Sequence, residues 1–499
     1  MKFNLSQVLV MPPWITVLIS LFLVGNIVAL FTVGVHPDEA YYWVWSENLQ
    51  AGYFDHPPMV AWEIRLFTSV LGDHAWVIRL PALLAWSAIG ISVYLIARDV
   101  FPENRNAAAL AALVATSLPL YQVGSHIVTP DSPYLTFTAL SFWALTRALT
   151  GNPRWWLLTG LFGGLALLSK YVAVLFPAAL LLALIISKEG RKQLRTPWPW
   201  LAVIIAALIF SPVIYWNAQH DWISFLFQLG HGVNLKADSS VTNVLLYLAS
   251  QLVMAMPWVL IAMIVATVKT RSMLSDSQPV YTVLVFGFGL PLVFFALTGF
   301  TMISGAHWPA AAYIPGSVLL GGALAQWLLD DPGTDSVVVR QRKWLVPVIV
   351  IAALLSILLA SIVRYRGNTQ LANTFGWPEI AAAVKAVHDQ QPGEPACTIV
   401  AEHKLLAAAI AFALNKPHQV LALPGGKTSQ YDVWRQQGQN QSRPEACVFV
   451  AISDHDGNFP QHKETPDGNT WQLEHVYEVL SPVRTRWAGI YIRAGAKAE

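Results

Sequence analysis

The chain reads as a series of long apolar runs separated by short polar ones, followed by a tail of different texture. A helix needs about 20 apolar residues to cross the hydrocarbon core of a bilayer. Runs of roughly that length recur at 14–35, 75–97, 107–127, 131–149, 155–169, 171–187, 199–217, 243–267, 280–298, 308–329 and 344–363, which predicts about eleven transmembrane helices. Beyond about Arg364 the apolar stretches shorten and Pro and Gly punctuate them. There Cys397 to Val400 and Cys447 to Ile452 read as strands, and Pro378 to Asp389 and Lys404 to Leu414 as helices, so a small α/β domain is expected. The predicted architecture is a polytopic α-helical membrane domain over residues 1–364 and a soluble α/β domain over 365–499.

The polar stretch between the first two runs is long. Asp38 to Leu49 carries Tyr41, Trp45 and Leu49 on one side at helical spacing, and Met59 to Val70 repeats the pattern. Two amphipathic helices lying on the membrane surface are expected, with Pro57 and Pro58 breaking them and the Asp55-His56 pair at the turn.

Composition sharpens this picture. The chain is 55% hydrophobic and only 12% charged, against about a quarter charged in soluble domains, so lipid is the expected solvent. Its 21 tryptophans and net charge of +2 suit interfacial aromatic belts, and no concentrated basic face marks a nucleic-acid partner. The first run is longer than a signal-peptide core and no small-residue cleavage site follows it, so it is expected to stay as the first span. One set of alternate loops carries Lys2, Arg98, Arg105, Arg147, Arg154, Lys188, Arg191, Lys192, Arg195, Lys269, Arg271, Arg340, Arg342 and Lys343; the other carries Arg65, Lys170 and Lys236. The basic set belongs on the cytoplasmic side. An odd number of spans then puts the first loop and the tail outside. Both cysteines, Cys397 and Cys447, fall in that external tail, as a disulfide or as two buried thiols on separate strands.

The residues with chemistry gather on the external side. Asp38, Glu39, Glu47, Asp55, Glu63 and Asp73 stand against the single base Arg65 in the first loop. Asp38 and Glu39 directly end the first span, at the lipid boundary, where an ionisable group is costly unless used; the plainer alternative is a helix cap. Asp131 in TPDSP stands at matching depth, with capping by Thr129, Asp131 or Ser132 as its alternative. Lys170, where two spans meet almost without a loop, suits a counter-charge for a lipid-linked phosphate or a snorkelling side chain, and Arg79 could serve the same end. His220, Asp221, His231 and His307 have no metal-ligand spacing of their own.

The elements HPDEAYYW, GYFDHPPM, TPDSP, SKY, HDWISF and HWPAAAY, in this order, resemble the family 39 type of C-fold membrane glycosyltransferases. That superfamily includes protein O-mannosyltransferases, lipid A aminoarabinose transferases and bacterial lipopolysaccharide galacturonic-acid transferases. The resemblance covers roughly residues 10 to 330. It implies a sugar donor carried on polyprenyl phosphate and an envelope acceptor, lipid-anchored or glycan, at the periplasmic face of the bacterial inner membrane. It makes Asp38 the catalytic carboxylate with Glu39 beside it, and Asp131 the second-loop acid. The aminoarabinose branch has Glu-Lys-Pro-Pro where this chain has Asp55-His56-Pro57-Pro58. There the Glu helps hold a metal and the Lys the carrier phosphate, so the resemblance implies His56 at the phosphate, beside Lys170 and Arg79 from the reading of the residues themselves. It implies Asp55 and His231 as ligands of a divalent metal such as zinc. No Gly-rich phosphate loop follows a strand in the membrane part, which argues against a nucleotide donor. The rival class is a transporter or flippase of a lipid-linked sugar; transporters place charge at the bilayer midplane between two related halves, whereas here charge gathers at one face and no repeat is visible.

Overall fold

A computed structural model of the chain describes residues 11–232, 241–269, 279–329, 374–391, 397–424, 428–438, 445–454, 456–480 and 485–493. The helices run α1 (Pro13–Thr32), α2 (Pro37–Ser46), α3 (Met59–Leu71), α4 (Ala75–Val100), α5 (Arg105–Ser117), α6 (Pro119–Gly124), α7 (Asp131–Thr150) and α8 (Trp155–Leu167). They continue as α9 (Leu175–Ile186), α10 (Lys188–Leu194), α11 (Pro197–Gln219), α12 (Ile223–Gly232), α13 (Val241–Ala255), α14 (Pro257–Lys269), α15 (Pro279–Thr298) and α16 (Tyr313–Leu329). The tail adds α17 (Trp377–His388), α18 (Lys404–Leu414) and α19 (Gln430–Gln436) among strands β1 (Thr398–Ala401), β2 (Val420–Ala422), β3 (Ala446–Ser453), β4 (His462–Glu464), β5 (Thr470–Leu480) and β6 (Thr485–Arg493). The chain divides into two compact units, one of residues 1–30, 56–59 and 79–361, the other of 31–55, 60–78 and 362–499. Most of the stretch between α1 and α4 thus groups with the tail.

In the helical unit, α1, α4, α11 and α15 are each long and apolar enough to cross a membrane. Two bent pairs, Tyr171–Ile186 with α10 and α13 with α14, raise the number of spans to six if each is counted as one. The expected count of about eleven is therefore not reproduced among the described residues: α8 and α16 are too short to be counted, and two runs are interrupted at a proline. The run 243–267 bends by 95° where α13 gives way to α14, because Met256 turns to φ +67° and Pro257 has no N–H to continue the helix. The run 107–127 breaks at Leu118, which is extended ahead of Pro119. The run 344–363 lies outside the described residues.

Close packing in this unit uses small residues at helical spacing. A Cβ on Gly160 would lie 2.4 Å from the Ala202 carbonyl oxygen, and one on Gly164 2.8 Å from Ile209 Cβ. Four residues apart, the two glycines share the face of α8 that meets α11, so the backbones approach more closely than any side chain would allow. On α8 the Thr159 carbonyl accepts from Ser141 Oγ of α7 at 2.9 Å.

The second unit holds a six-stranded sheet in the order β2-β1-β3-β6-β5-β4. β1 runs parallel to β2 and β3, and the remaining pairs are antiparallel. Cys397 and Cys447, Cα atoms 5.6 Å apart, form a disulfide where β1 and β3 begin, which settles the alternative the sequence left open. α3 keeps its expected amphipathic form, burying Val60, Ala61 and Ile64 while exposing Leu66 and Val70. α2 does not lie on a surface as expected. Its run of Tyr41, Tyr42, Trp43, Val44 and Trp45 is apolar all round and buried, and Trp43 meets Phe412 of α18 edge-on at 5.1 Å. A helix apolar on every side belongs in a core.

Candidate active site

The acidic start of α2 separates into two roles. His36 is its N-cap, and Glu39 in the first turn turns back to accept the His36 backbone N–H at 2.8 Å, closing a capping box. Glu39 is fully buried. Of the pair, it is the one that builds the helix. Asp38 donates its own backbone N–H to His36 Nδ1 at 3.2 Å, so that nitrogen is an acceptor and does not donate to the Asp38 carboxylate 3.3 Å away. The Asp38 side chain is 43% exposed. It is the acid a substrate could reach.

Asp55, in the same unit, is enclosed. Lys404 Nζ reaches both its oxygens, at 3.1 and 3.2 Å. The same ammonium lies 4.8 Å from the centre of the Tyr41 ring. The Tyr41 hydroxyl accepts the Gln430 backbone N–H at 2.8 Å and donates to Asp55. Burial pushes the Asp55 carboxyl above the usual carboxylate range, with Lys404 and Tyr41 pulling it back. Burial raises the Tyr41 hydroxyl well above its ordinary value, with the Asp55 charge adding to the effect, which keeps it a donor. A divalent ion would need the carboxylate oxygens that an ammonium already holds, so Asp55 as arranged does not fit a metal ligand. The side chain of His231, its expected co-ligand, lies outside the described residues. Among the described residues one cluster has metal-ligand spacing, His388 with Cys397 and Cys447, and the disulfide consumes both thiols.

The helical unit brings together residues that the sequence treated separately. Lys170 Nζ lies 2.7 and 2.8 Å from the two Asp131 oxygens, joining the start of α7 to the turn after α8. Both side chains are mostly buried, so Lys170 is not a snorkelling cation. Nor is Asp131 a cap: Thr129 Oγ1 accepts the Asp131 backbone N–H at 3.3 Å and its carboxylate is turned to Lys170. His307 Nε2 is 3.8 Å from Asp131 Oδ2, and His56 is close enough to act on the same carboxylate electrostatically. Arg79, inside α4, is fully buried.

Sequence reasoning missed Lys404 and Gln430 as partners of the first loop, Tyr41 as a partner of Asp55, and His307 as a neighbour of Asp131. A signal for Lys404 existed. It is the first residue of a predicted helix, where a cation opposes the helix dipole unless an acid compensates it.

Comparison with known proteins agrees with the resemblance read from the sequence. Residues 55–216 match the family described as dolichyl-phosphate-mannose-protein mannosyltransferase. The lipid A galacturonosyltransferase RgtD of Rhizobium johnstonii is 29% identical over 304 residues, 58% of this chain and 60% of that protein. The undecaprenyl phosphate-alpha-4-amino-4-deoxy-L-arabinose arabinosyl transferase of Edwardsiella ictaluri is 28% identical over 225 residues, 43% of this chain and 41% of the relative. The matched segments thus span about 60% or less of these relatives' own lengths. In fold, the chain is similar to the crystal structure of ArnT from Cupriavidus metallidurans bound to undecaprenyl phosphate, with TM-score 0.68, 16% identity, and coverage of 97% of this chain and 99% of that one.

Proposed function

We propose that the chain transfers a sugar from a polyprenyl-phosphate carrier to lipid A or another envelope acceptor, at the periplasmic face of the bacterial inner membrane. The observation that carries this reading is the likeness in fold, along 97% of the chain, to a protein whose structure holds undecaprenyl phosphate. The relatives named for lipid A galacturonosyl and aminoarabinosyl transfer support the acceptor and the donor class.

The chemistry follows from the side chains. Asp38 takes the proton of the acceptor hydroxyl as general base. The acceptor oxygen attacks the anomeric carbon, the bond from that carbon to the carrier phosphate oxygen breaks, and the carrier leaves with the electron pair, so the anomeric configuration inverts. The cations proposed to meet the leaving phosphate are His56, Arg79 and Lys170, whose charge stabilises the one developing there. Asp131 holds Lys170 in place at 2.7 Å. A divalent metal remains a proposal of the resemblance alone, and no step requires it.

The test is mass spectrometry of envelope lipids from cells with and without the gene, paired with transfer by the purified protein from an undecaprenyl-phosphate-linked hexuronic acid or aminopentose. A sugar that disappears from lipid A on deletion and is transferred in vitro is the expected result. Unchanged envelope lipids together with no transfer from either donor overturn the reading.

A further inference from the structure

The first loop is held from the tail at three neighbouring points. Lys404 grips Asp55 at 3.1 and 3.2 Å. The Phe54 backbone N–H donates to Gln430 Oε1 at 2.8 Å. The Tyr41 hydroxyl takes the Gln430 N–H, also at 2.8 Å. Lys404 and Gln430 are the first residues of α18 and α19, so two tail helices begin where the loop touches them. A lysine at a helix N-terminus opposes the dipole, and the acid that compensates it is Asp55. Asp55 in turn acts electrostatically with Asp38, the exposed acid at the start of α2.

We infer that Lys404 is a positioning residue of the transfer site, its ammonium fixing Asp55 and the turn that carries it by taking the place at the carboxylate that a divalent ion would otherwise occupy. The inference rests on the transferase reading proposed above. It gives the tail a part in the reaction, because the loop bearing Asp38 is oriented by a residue 349 positions away from Asp55 in the chain. It also makes the reaction independent of any metal at Asp55.

The test uses the full chain in detergent micelles and has two readouts. The first is transfer from an undecaprenyl-phosphate-linked sugar. Wild-type protein should keep its rate in excess chelator. Lys404→Met should lower kcat roughly tenfold or more with KM little changed, as misplaced catalytic groups do, Lys404→Arg should keep most of it, and adding Asp55→Asn to Lys404→Met should cause no further loss. Loss of wild-type activity in chelator with recovery on Zn²⁺, or full kcat in Lys404→Met, overturns the inference. The second readout needs no activity: zinc content and Zn²⁺ titration of wild-type and Asp55→Asn protein. No Zn²⁺ that depends on Asp55 is expected, and one equivalent lost in Asp55→Asn overturns the inference. A wild-type protein inactive with every donor would defeat the transferase reading, while the titration would still decide what binds Asp55.

Discussion

Two lysine–carboxylate pairs, one in each unit, look alike on paper and differ in build. Lys170 and Asp131 meet at 2.7 and 2.8 Å with side chains 11% and 18% exposed. Lys404 and Asp55 meet at 3.1 and 3.2 Å, and the lysine is 27% exposed. The first pair bridges 39 residues within the helical unit, the second 349 within the other. A short pair shielded from water depends wholly on its partner, since removing one charge strands the other. A longer pair, with a tyrosine hydroxyl and solvent at its edge, has other ways to satisfy its members. The tight pair therefore carries more of the stability of its unit, besides the part proposed for Lys170 at the phosphate, and the looser one sets a loop.

Asp38 sharpens that contrast because among the described residues no lysine pairs with it. Asp38→Asn keeps the size of the side chain and the backbone N–H that meets His36. Transfer should fall on the order of a hundredfold or more, the range expected for loss of a general base, with the thermal midpoint unchanged. Near-normal turnover in folded protein would remove Asp38 from the reaction.

The pairs themselves should separate next, in stability. Asp131→Asn or Lys170→Met alone should destabilise by roughly 3 kcal/mol, because each leaves a buried charge uncompensated, and the double variant should recover much of that loss. Lys404→Met should cost only about 1 kcal/mol, because the ammonium is partly exposed and the stranded Asp55, raised by burial and still hydrogen-bonded by Tyr41, can take up a proton. Denaturant unfolding of the four proteins in detergent measures this. Equal losses at Lys170 and Lys404 would erase the distinction.

Legibility followed the range of the interaction. Hydrophobic period placed α3, α7, α8, α11 and α15, and α17, α18, β1 and β3 of the tail, to within two residues of their observed ends, and missed one end of α1, α4 and α16 by three to five. Strands β4 to β6 were missed: of them β4 is only three residues long and mostly exposed, and they pair with each other or with β3 by registers no local pattern records. Asp38, Glu39, Asp131 and Lys170 were all marked by charge at a lipid boundary. Their division of labour was not legible, because the Glu39 capping box and the Lys170 contact exist only in the fold. The surface helix expected at α2 failed for a different reason. Period identifies one buried face, while a core helix of tyrosine and tryptophan buries every face.

Glu63 shows a third way to handle a buried acid, and the smallest of the expected effects. It sits on α3, and Oε2 has no hydrogen-bond partner among the described residues. Burial pushes its carboxyl up to about 8 from the ordinary 4.5. Near neutral pH it is held mostly as the acid. The folded state binds this proton more tightly than the unfolded chain, so its contribution is fully present below the unfolded value near 4.5 and is lost as pH rises through 8. Wild-type stability should therefore fall from about pH 4.5 to pH 8 and level off above it, by at most about 1.4 kcal/mol per pH unit for one proton. Glu63→Gln, which cannot ionise, should flatten that slope, with a midpoint close to wild type near pH 4.5 and increasingly above it as pH rises. Asp55→Asn should not flatten it in this way, since Lys404 already offsets part of the burial there. Thermal unfolding of the three proteins across that range measures each slope, and a Glu63→Gln slope equal to wild type would mean that the carboxyl is ionised and has a cation after all.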